Sequence, residues 1–410
     1  MYKFDSNTIK SSRHHLFIIL RSLLILLLFS NLSMATEKQP DIVIFIADDL
    51  SIIDVGCYGN HIIRTPNIDK LAMEGMRFQR AFTTTAMCTP SRSAIYTGLY
   101  PHRNGAHMNH GDVFDGTKSM PHFLKKLGYR VALSGKKHIG PKESFPFEYI
   151  DFKEKKGNTG KLDFDAMEDF ISESSEPFCL VIASADPHGP HESGKYKADQ
   201  IEIPGNWLDT PETRQLLAGY YADIEIMDQE VARIDALLSK YKKKDNTLFI
   251  FLSDHGFDFF AKWTCYNIGL RVPFIVRWPE KIEANTQTKA LVSFVDILPT
   301  LIEAAGVEKN EQFDGLSFLS VLTGNKENHH QQVFAAHTNR GIWSGSPYPI
   351  RSVITRKYHY ILNLNYQEIA TQVANDIIAI IDQIPLEELR KLEINKPQEN
   401  TQGEAKKEGP

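Results

Sequence analysis

The stretch Asp41-Ile42-Val43-Ile44-Phe45-Ile46-Ala47 is an apolar run after its first residue, and two adjacent carboxylates, Asp48 and Asp49, follow it. A run without polar alternation is typical of a strand that is buried on both faces of a sheet. Further apolar runs of this kind are predicted to be strands, and they cover residues 130–133, 178–183, 247–252 and, more briefly, 272–276.

Predicted helices separate these strands. A Thr-Pro pair at 65–66 begins one that ends at Gly75, and others cover 120–127, 212–240 and 296–305. The repeated order of strand, polar tip and helix predicts an α/β fold with a large, mostly parallel sheet and helices on both faces. Ligands bind such sheets beyond the carboxyl ends of the strands. The polar segments expected to meet there are Asp48-Asp49, Lys136 to His138, Asp186 to His188 and Asp254-His255.

The pattern changes after residue 325. Short segments at 333–337, 352–355 and 358–364, the last two joined by a turn at Arg356-Lys357, predict a small antiparallel sheet. Residues 368–394 are predicted to form one or two helices, and the polar segment 395–410 a disordered tail. We therefore expect an α/β domain over 36–325, a C-terminal subdomain over 326–394 and a tail.

The N-terminus has the order of a targeting segment. Three basic residues before position 14 precede an apolar run over 16–29, and Ser33-Met34-Ala35 supplies small residues for cleavage. This order predicts a signal peptide over 1–35, and hence a periplasmic or secreted protein. The alternative is a membrane anchor, but the run is shorter than the ~20 residues that a span needs and Arg21 interrupts it.

The chain of 410 residues has a formal net charge of −5. Loss of residues 1–35 would remove four basic residues and one acidic residue and shift the charge to −8. An acidic chain is not a general binder of polyanions, so nucleic acid is not expected as a partner and an anionic substrate needs a local basic pocket. Four cysteines at 57, 88, 179 and 265 form neither a zinc-type spacing nor a disulfide framework.

The segment Cys88-Thr89-Pro90-Ser91-Arg92, which Gly98 follows, resembles the signature of type I sulfatases. Taken alone, Cys88 would be an ordinary buried cysteine. The resemblance implies an alkaline-phosphatase-like fold and a maturation enzyme that oxidises Cys88 to Cα-formylglycine. The hydrated aldehyde would then act as the nucleophile that removes a sulfate group.

Carboxylates at the strand ends indicate a metal site. An Asp-Asp pair alone is more often a turn or a helix cap. Together with Asp254 and residue 88, however, Asp48 and Asp49 form an oxygen-rich set that suits Ca²⁺. The resemblance implies that these residues and His255 are the metal ligands. Many members have Asn where this chain has His255, and the nitrogen ligand keeps Mg²⁺ and Mn²⁺ open as less favoured ions.

Cationic side chains complete the predicted site. Arg92 follows Cys88 by one helical turn, in a helix expected to begin near Pro90 or Ser91, so its guanidinium can return to the anion-favouring N-terminus. Residues 135–140, Gly-Lys-Lys-His-Ile-Gly, resemble a family segment in which Lys136 would hold a sulfate oxygen and His138 would contact the hydrated aldehyde.

By the same resemblance His188 lies near the leaving group and Lys262 contacts the sulfate, whereas Lys137 occupies a variable position. Acid and base roles among the histidines stay open, because His191 and His255 are nearby in sequence. Each cation also has an ordinary alternative: a surface salt bridge for Arg92, a basic surface loop for 135–140 and a solvated lysine for Lys262.

Several segments are similar to the heparan N-sulfatase branch, namely 135–141, the spacing from Asp254 to Lys262, and Arg351-Ser352-Val353 leading to 362–365. They imply a sulfated amino sugar or a related glycosaminoglycan fragment as substrate. Residues 366–410 lack two segments usual in the family, so we expect a truncated or rebuilt C-terminal subdomain. A phosphonate or phosphate ester hydrolase and a non-catalytic glycan-binding protein remain as alternatives.

Overall fold

The computed structural model describes residues 38–156, 159–191, 196–204, 207–257, 261–307, 312–338, 348–381, 383 and 385. The predicted signal peptide over 1–35, the distal part of the predicted helical segment 368–394, and the predicted tail lie outside these residues. Within them, no helix is long and apolar enough to cross a membrane.

The strands of the described residues run in chain order as follows: β1 Asp41–Ala47, β2 Met76–Phe78, β3 Ala81–Phe82, β4 Arg130–Gly135, β5 Glu148–Ile150, β6 Glu154–Lys156, β7 Thr159–Lys161, β8 Phe178–Ala183, β9 Thr247–Ser253, β10 Phe274–Arg277, β11 Thr286–Thr288, β12 Val292–Ser293, β13 Gln332–His337, β14 Ile350–Thr355 and β15 His359–Asn363.

The α-helices of the same residues are α1 Pro66–Met73, α2 Cys88–Thr97, α3 Pro101–Asn104, α4 Met120–Leu124, α5 Phe164–Glu173, α6 Pro211–Lys240, α7 Asn267–Leu270, α8 Ile297–Ala304, α9 Leu319–Leu322 and α10 Tyr366–Ile381. Short 3₁₀ turns lie at Ile52–Asp54, Gly56–Tyr58, Lys125–Leu127, Lys142–Ser144, Ala198–Gln200 and Phe294–Asp296.

The main sheet contains eight strands in the order β11-β2-β10-β9-β1-β8-β4-β5. β10 is antiparallel to both of its neighbours, and the other pairs in this sheet are parallel. The prediction of a large, mostly parallel sheet is therefore confirmed. The predicted strand at 272–276 is β10, and its reversed direction is the one exception in this sheet.

The central strand β1 is buried on both faces, as its apolar run predicts. Ile42, Ile44 and Ile46 belong to one hydrophobic cluster, which includes residues of α2, α4 and α8. Val43 and Phe45 belong to another, which includes residues of α1, α5 and α6. Because successive side chains of a strand point to opposite faces, each face has its own helical layer.

The C-terminal strands form the predicted small antiparallel sheet, in the order β13-β14-β15. Val333, Ala335 and Ile350 pack in a third cluster with Phe82 and Leu270 of the larger unit. This cluster fixes the small sheet beside the segment that precedes α2. The predicted helical region begins two residues earlier than expected, as α10.

Candidate active site

Cys88 is the first residue of α2 and is 1% exposed. The prediction that this helix begins at Pro90 or Ser91 is wrong by two or three residues. The N–H groups in the first turn of a helix have no carbonyl partner within the helix. Pro90, which lacks an N–H group, therefore fits there. The first backbone bond of the turn runs from the Ser91 N–H to the Met87 carbonyl over 3.0 Å.

Ser91 joins this helix to the central sheet. Its hydroxyl donates to the Asp254 carbonyl over 2.7 Å, and it accepts from the Thr83 hydroxyl over 2.8 Å. The helix ends at Gly98, whose φ of 68° lies in the left-handed region that favours glycine. The segment 88–98 thus fixes Cys88 against the end of β9.

The ends of parallel strands bring the predicted polar segments together. The Asp48 N–H donates to the Asp186 carbonyl over 3.0 Å, and the Asp254 N–H donates to the Ala47 carbonyl over 3.0 Å. An Asp254 carboxylate oxygen also accepts from the N–H of Asp49 over 3.1 Å and of His255 over 2.9 Å. The loops after β1, β8 and β9 are therefore bonded to one another.

Arg92 bridges two of the carboxylates. It is fully buried, with Nε 3.0 Å from Asp254 Oδ2 and Nη2 3.1 Å from Asp48 Oδ1. Burial alone would raise the pKa of Asp48, but Lys136 and Arg92 outweigh it and hold that pKa well below its usual range. The alternative of a surface salt bridge for Arg92 is thereby excluded.

The five residues predicted as metal ligands form two adjoining groups. Asp48, Cys88 and Asp254 offer ligand atoms within 4.8 Å of one another, and so do Asp49, Cys88 and His255. Asp49 Oδ1 is buried without a hydrogen-bond partner. Three carboxylates and one imidazole, with one carboxylate oxygen left without a hydrogen bond, form a donor set that fits a divalent cation.

His255 has the orientation of a metal ligand. Its Nδ1 lies 3.0 Å from the Gly256 carbonyl, so it can donate there and leave Nε2 directed to the site. Nε2 is 3.2 Å from Asp49 Oδ1 and 3.4 Å from Cys88 Sγ. Burial lowers the pKa of His255, but Asp254 and Asp49 outweigh it and raise the pKa to about 10.

Two buried lysines lie beside the same carboxylates. Lys136 pairs with Asp48, and its Nζ is 3.8 Å from Cys88 Sγ. Lys262 Nζ is 2.7 Å from Asp49 Oδ2. Burial opposes ionisation of the Cys88 thiol, but the positive charges of Lys136 and Lys262 hold its pKa well below the ordinary value. Lys262 is 7% exposed, so it is not a solvated loop lysine.

The predicted histidines differ in their surroundings. His188 is partly exposed, with Nδ1 2.7 Å from the Gly189 carbonyl and Nε2 3.8 Å from Asp49 Oδ2. His191 Nδ1 instead lies 2.7 Å from Asp223 Oδ2. Of the two, His188 is the one whose ring nitrogen faces Asp49, a predicted metal ligand.

His138 contacts a residue that the sequence did not predict. Its Nε2 lies 2.8 Å from His110 Nδ1, and its backbone has a φ of 47°. The His110 N–H donates to the Thr89 hydroxyl over 3.1 Å, which brings this loop to the residue after Cys88. His110 follows no predicted strand, so nothing in its sequence context marked it. Lys137, which occupies the variable position, pairs with Asp151 at the surface.

A family sequence model described as Sulfatase matches residues 40–307. The chain belongs to the sulfatase family. A second model, described as N-sulphoglucosamine sulphohydrolase, C-terminal, matches residues 254–376. The sulfatase match includes α2 and the carboxyl ends of β1, β4, β8 and β9, where the candidate site lies. The prediction of an enzyme of the sulfatase family is confirmed.

Similar proteins agree with this assignment. An ulvan-active sulfatase from Formosa agariphila is 36% identical over 348 residues, which cover 83% of this chain and 69% of that protein. The human N-sulphoglucosamine sulphohydrolase is 29% identical over 385 residues, covering 82% of this chain and 76% of that protein.

A solved structure in complex with its substrate D-glucosamine-2-N,6-O-disulfate superposes with a TM-score of 0.67 at 20% identity. The superposition covers 88% of this chain and all of that one. At this level of identity the likeness shows the fold, and it confirms the predicted architecture for this sulfatase.

Proposed function

We propose that this sulfatase hydrolyses a sulfate ester or an N-sulfate on a glycosaminoglycan-like sugar, with a formylglycine derived from Cys88 as the nucleophile. The observation that carries the proposal is the position of Cys88 Sγ, 3.8 Å from Lys136 Nζ and 3.4 Å from His255 Nε2, at the N-terminus of α2. Anions are stabilised at such a helix end and by adjacent cations.

The side chains around residue 88 suit transfer of a sulfuryl group. Lys136 and Lys262 can donate to the sulfuryl oxygens, whose charge grows in the transition state. Arg92 holds Asp48 and Asp254 in place and offsets their charge. We assign His188 to protonation of the leaving group, because its ring nitrogen faces the site and the side chain is partly open to solvent.

His138 is linked to residue 88 indirectly, through His110. Its Nε2 contacts His110, whose backbone is bonded to Thr89. We assign the His138–His110 pair to the removal of a proton from the hydrated aldehyde. The hydrate would supply one hydroxyl for attack on sulfur and a second hydroxyl that allows release of sulfate.

Asp48, Asp49, Asp254 and His255, with residue 88, would hold a divalent ion, for which we propose Ca²⁺ ahead of Mg²⁺ or Mn²⁺. Three carboxylates and only one imidazole favour a hard cation. Such an ion supplies Lewis-acid polarisation of sulfuryl and hydroxyl oxygens when it is bound.

A sulfated polysaccharide is the proposed source of the substrate. The two relatives described above are named for ulvan and for N-sulphoglucosamine. The match of the second family model to 254–376 favours a sulfated amino sugar. We also propose export to the periplasm or beyond through residues 1–35, and a formylglycine-generating enzyme as a partner during maturation.

Two measurements test the proposal. In protein coexpressed with a formylglycine-generating enzyme, the tryptic peptide that contains residue 88 should be lighter by about 18 Da, because an aldehyde replaces the thiol. An unconverted thiol in active protein would contradict the proposed nucleophile. The converted protein should then release sulfate from an aryl sulfate, whereas Cys88→Ala should release none.

Paired rates separate the alternatives. A tenfold or greater preference for an aryl phosphate over the matching aryl sulfate would favour the phosphate ester hydrolase. Full conversion of Cys88 without turnover of aryl sulfates or of sulfated and N-sulfated glucosamine would favour the non-catalytic glycan-binding protein.

A further inference from the structure

A second concentration of positive charge lies outside the catalytic cluster. A cavity of about 440 Å³, here called the basic groove, lies between the main sheet and the C-terminal sheet. Among the described residues, its lining contains no Asp or Glu and shares no residue with the catalytic site. The cationic residues of the lining are Arg80, Arg271, Lys289, Arg356 and Lys357.

The five cations have no acidic partner in the part of the chain that the structure describes. Within the described part of the chain, no ion pair joins any of the five side chains to a carboxylate. Burial and the like charges of Arg271 and Arg356 lower the pKa of Arg80. In a chain of net charge −5, an unpaired cluster of this kind requires a specific explanation.

Main-chain carbonyls fix two of the guanidinium groups. Arg80 donates to the carbonyls of Thr355 and Arg356 over 2.5 and 2.7 Å. Arg271 Nε donates to the Gln79 carbonyl over 2.8 Å. Carbonyls orient the guanidinium groups without cancelling their charge, so the groove is preorganised for an anion.

The topology sets the basic groove on the catalytic edge of the sheet. β2 and β11 run in the same direction as β9, because β10 reverses direction between β9 and β2. Arg80 follows the carboxyl end of β2 and Lys289 follows that of β11. Arg271 precedes β10, whose reversed direction brings its start to the same edge.

The distance between the basic groove and the catalytic site is short enough for one extended ligand to reach both. β2 is two strands from β9 and β11 is three, so their ends lie roughly 10 and 14 Å from the end of β9, which carries Asp254 and His255. The ring of Tyr358, 66% exposed, adds an apolar surface to the cationic lining. Aromatic faces beside charged groups suit a ligand that alternates sugar rings with anionic substituents.

We propose that the basic groove binds an anionic stretch of a sulfated polysaccharide, adjoining the sugar unit whose sulfate group enters the catalytic site. This inference rests on the proposed function for its substrate class. It assigns the groove to chain binding, and the groove takes no part in the chemical step.

The binding test uses full-length Cys88→Ala protein, so that turnover does not consume the probe, and a size-defined heparin oligosaccharide as the ligand. The variant Lys289→Glu/Lys357→Glu should bind about tenfold more weakly and with a shallower salt dependence, because two cations no longer contact the polyanion. The control Lys118→Glu/Lys126→Glu makes the same charge change at exposed lysines elsewhere and should retain its affinity within about twofold. A second pair, Lys289→Gln/Arg356→Gln, gives the same readout should the charge reversal disturb folding.

Equal weakening in the groove variant and the control would overturn the proposal, since general surface charge would then explain binding. Equal competition by a DNA oligonucleotide of matched charge would also overturn it, because the groove would then select charge alone. A neutral dextran should not compete.

Activity measurements distinguish failure of the groove proposal from failure of the proposed function. In converted enzyme with Cys88 intact, the groove variant should keep the wild-type kcat/KM on a small aryl sulfate and show a raised KM on a sulfated oligosaccharide. Lack of turnover by the wild-type enzyme would contradict the proposed function and leave the binding result standing. Equal kinetics of the wild type and the groove variant on the oligosaccharide would overturn the assignment of the basic groove to chain binding.

Discussion

Lys262 Nζ lies 2.7 Å from Asp49 Oδ2, so a cation assigned to sulfate is paired with a carboxylate assigned to metal. Lys136 and Asp48 form the same kind of pair. A divalent ion that coordinates these carboxylates would weaken both pairs and make the ammonium groups available to an anion. These two pairs predict that metal binding and sulfate binding are coupled.

The first prediction follows from this link. Sulfate should raise the melting temperature of the Ca²⁺-loaded protein, with a gain of about 2.7 kcal/mol at one hundred times its Kd. After chelation the shift should largely vanish, because the lysines return to the carboxylates. Differential scanning fluorimetry with and without a chelator measures this, and an equal shift in both states would contradict the coupling.

Neighbouring lysines provide a matched pair for the second prediction. Lys136→Met should lower kcat/KM by about 10²- to 10³-fold, the usual effect of removing one donor to a developing anion. Lys137→Met should stay close to wild type, because Lys137 pairs with Asp151 at the surface. Sulfate release from an aryl sulfate is the assay, and similar losses in both variants would remove Lys136 from its assigned role.

The third prediction concerns stability. Arg92→Ala should lower the free energy of unfolding by about 3–5 kcal/mol, because it leaves the buried Asp48 and Asp254 without their shared cation. Urea denaturation of metal-free protein measures it. Cys88→Ala serves as the control in the same helix and should cost much less. A change under 1 kcal/mol for Arg92→Ala would contradict the bridging role.

A buried acid in α6 supplies a pH prediction. Burial raises the pKa of Glu230 from 4.5 to about 8, and the charge of Asp186 adds to the effect. The unfolded state therefore releases this proton first, and stability falls as pH rises from about 4.5 through about 8. Glu230→Gln removes this dependence. Its melting temperature should exceed that of the wild type at pH 9, and the difference should shrink towards pH 4.5.

The exposed Glu212 of the same helix gives a control. Glu212→Gln should change the melting temperature by a small amount that does not depend on pH in this range. A Glu230→Gln variant that tracks the wild type at every pH would show that the buried carboxyl is not linked to folding.

The sequence predicted the long buried strands and their polar ends, because an apolar run such as 41–47 leaves few alternatives. It did not predict β2 or β11, since three residues are too few for a periodic pattern. The early start of α2 was missed because Pro90 suggested a boundary, whereas the first turn accepts proline. These short elements matter, since they position Arg80 and Lys289.

The residues of the candidate site likewise fall into those that the sequence predicted and those that it did not. Residues next to strand ends, such as Asp48 and Asp254, were predicted because the sheet direction brings strand ends together. His110 was not, because it reaches residue 89 through a loop whose path depends on tertiary packing. The pairing of Lys262 with Asp49 was likewise beyond prediction, since sequence patterns do not specify which opposite charges meet.

The burial of α2 constrains when the proposed nucleophile can be made. Every residue of Cys88–Thr97 is buried, so an oxidising enzyme cannot reach the thiol once the domain has folded. The proposed conversion would therefore have to precede folding, while the segment is still an extended peptide, and the two processes would compete for the same newly made chain. Rapid folding would then yield a well-structured but inactive protein, and the specific activity of a preparation would report its folding history as well as its sequence.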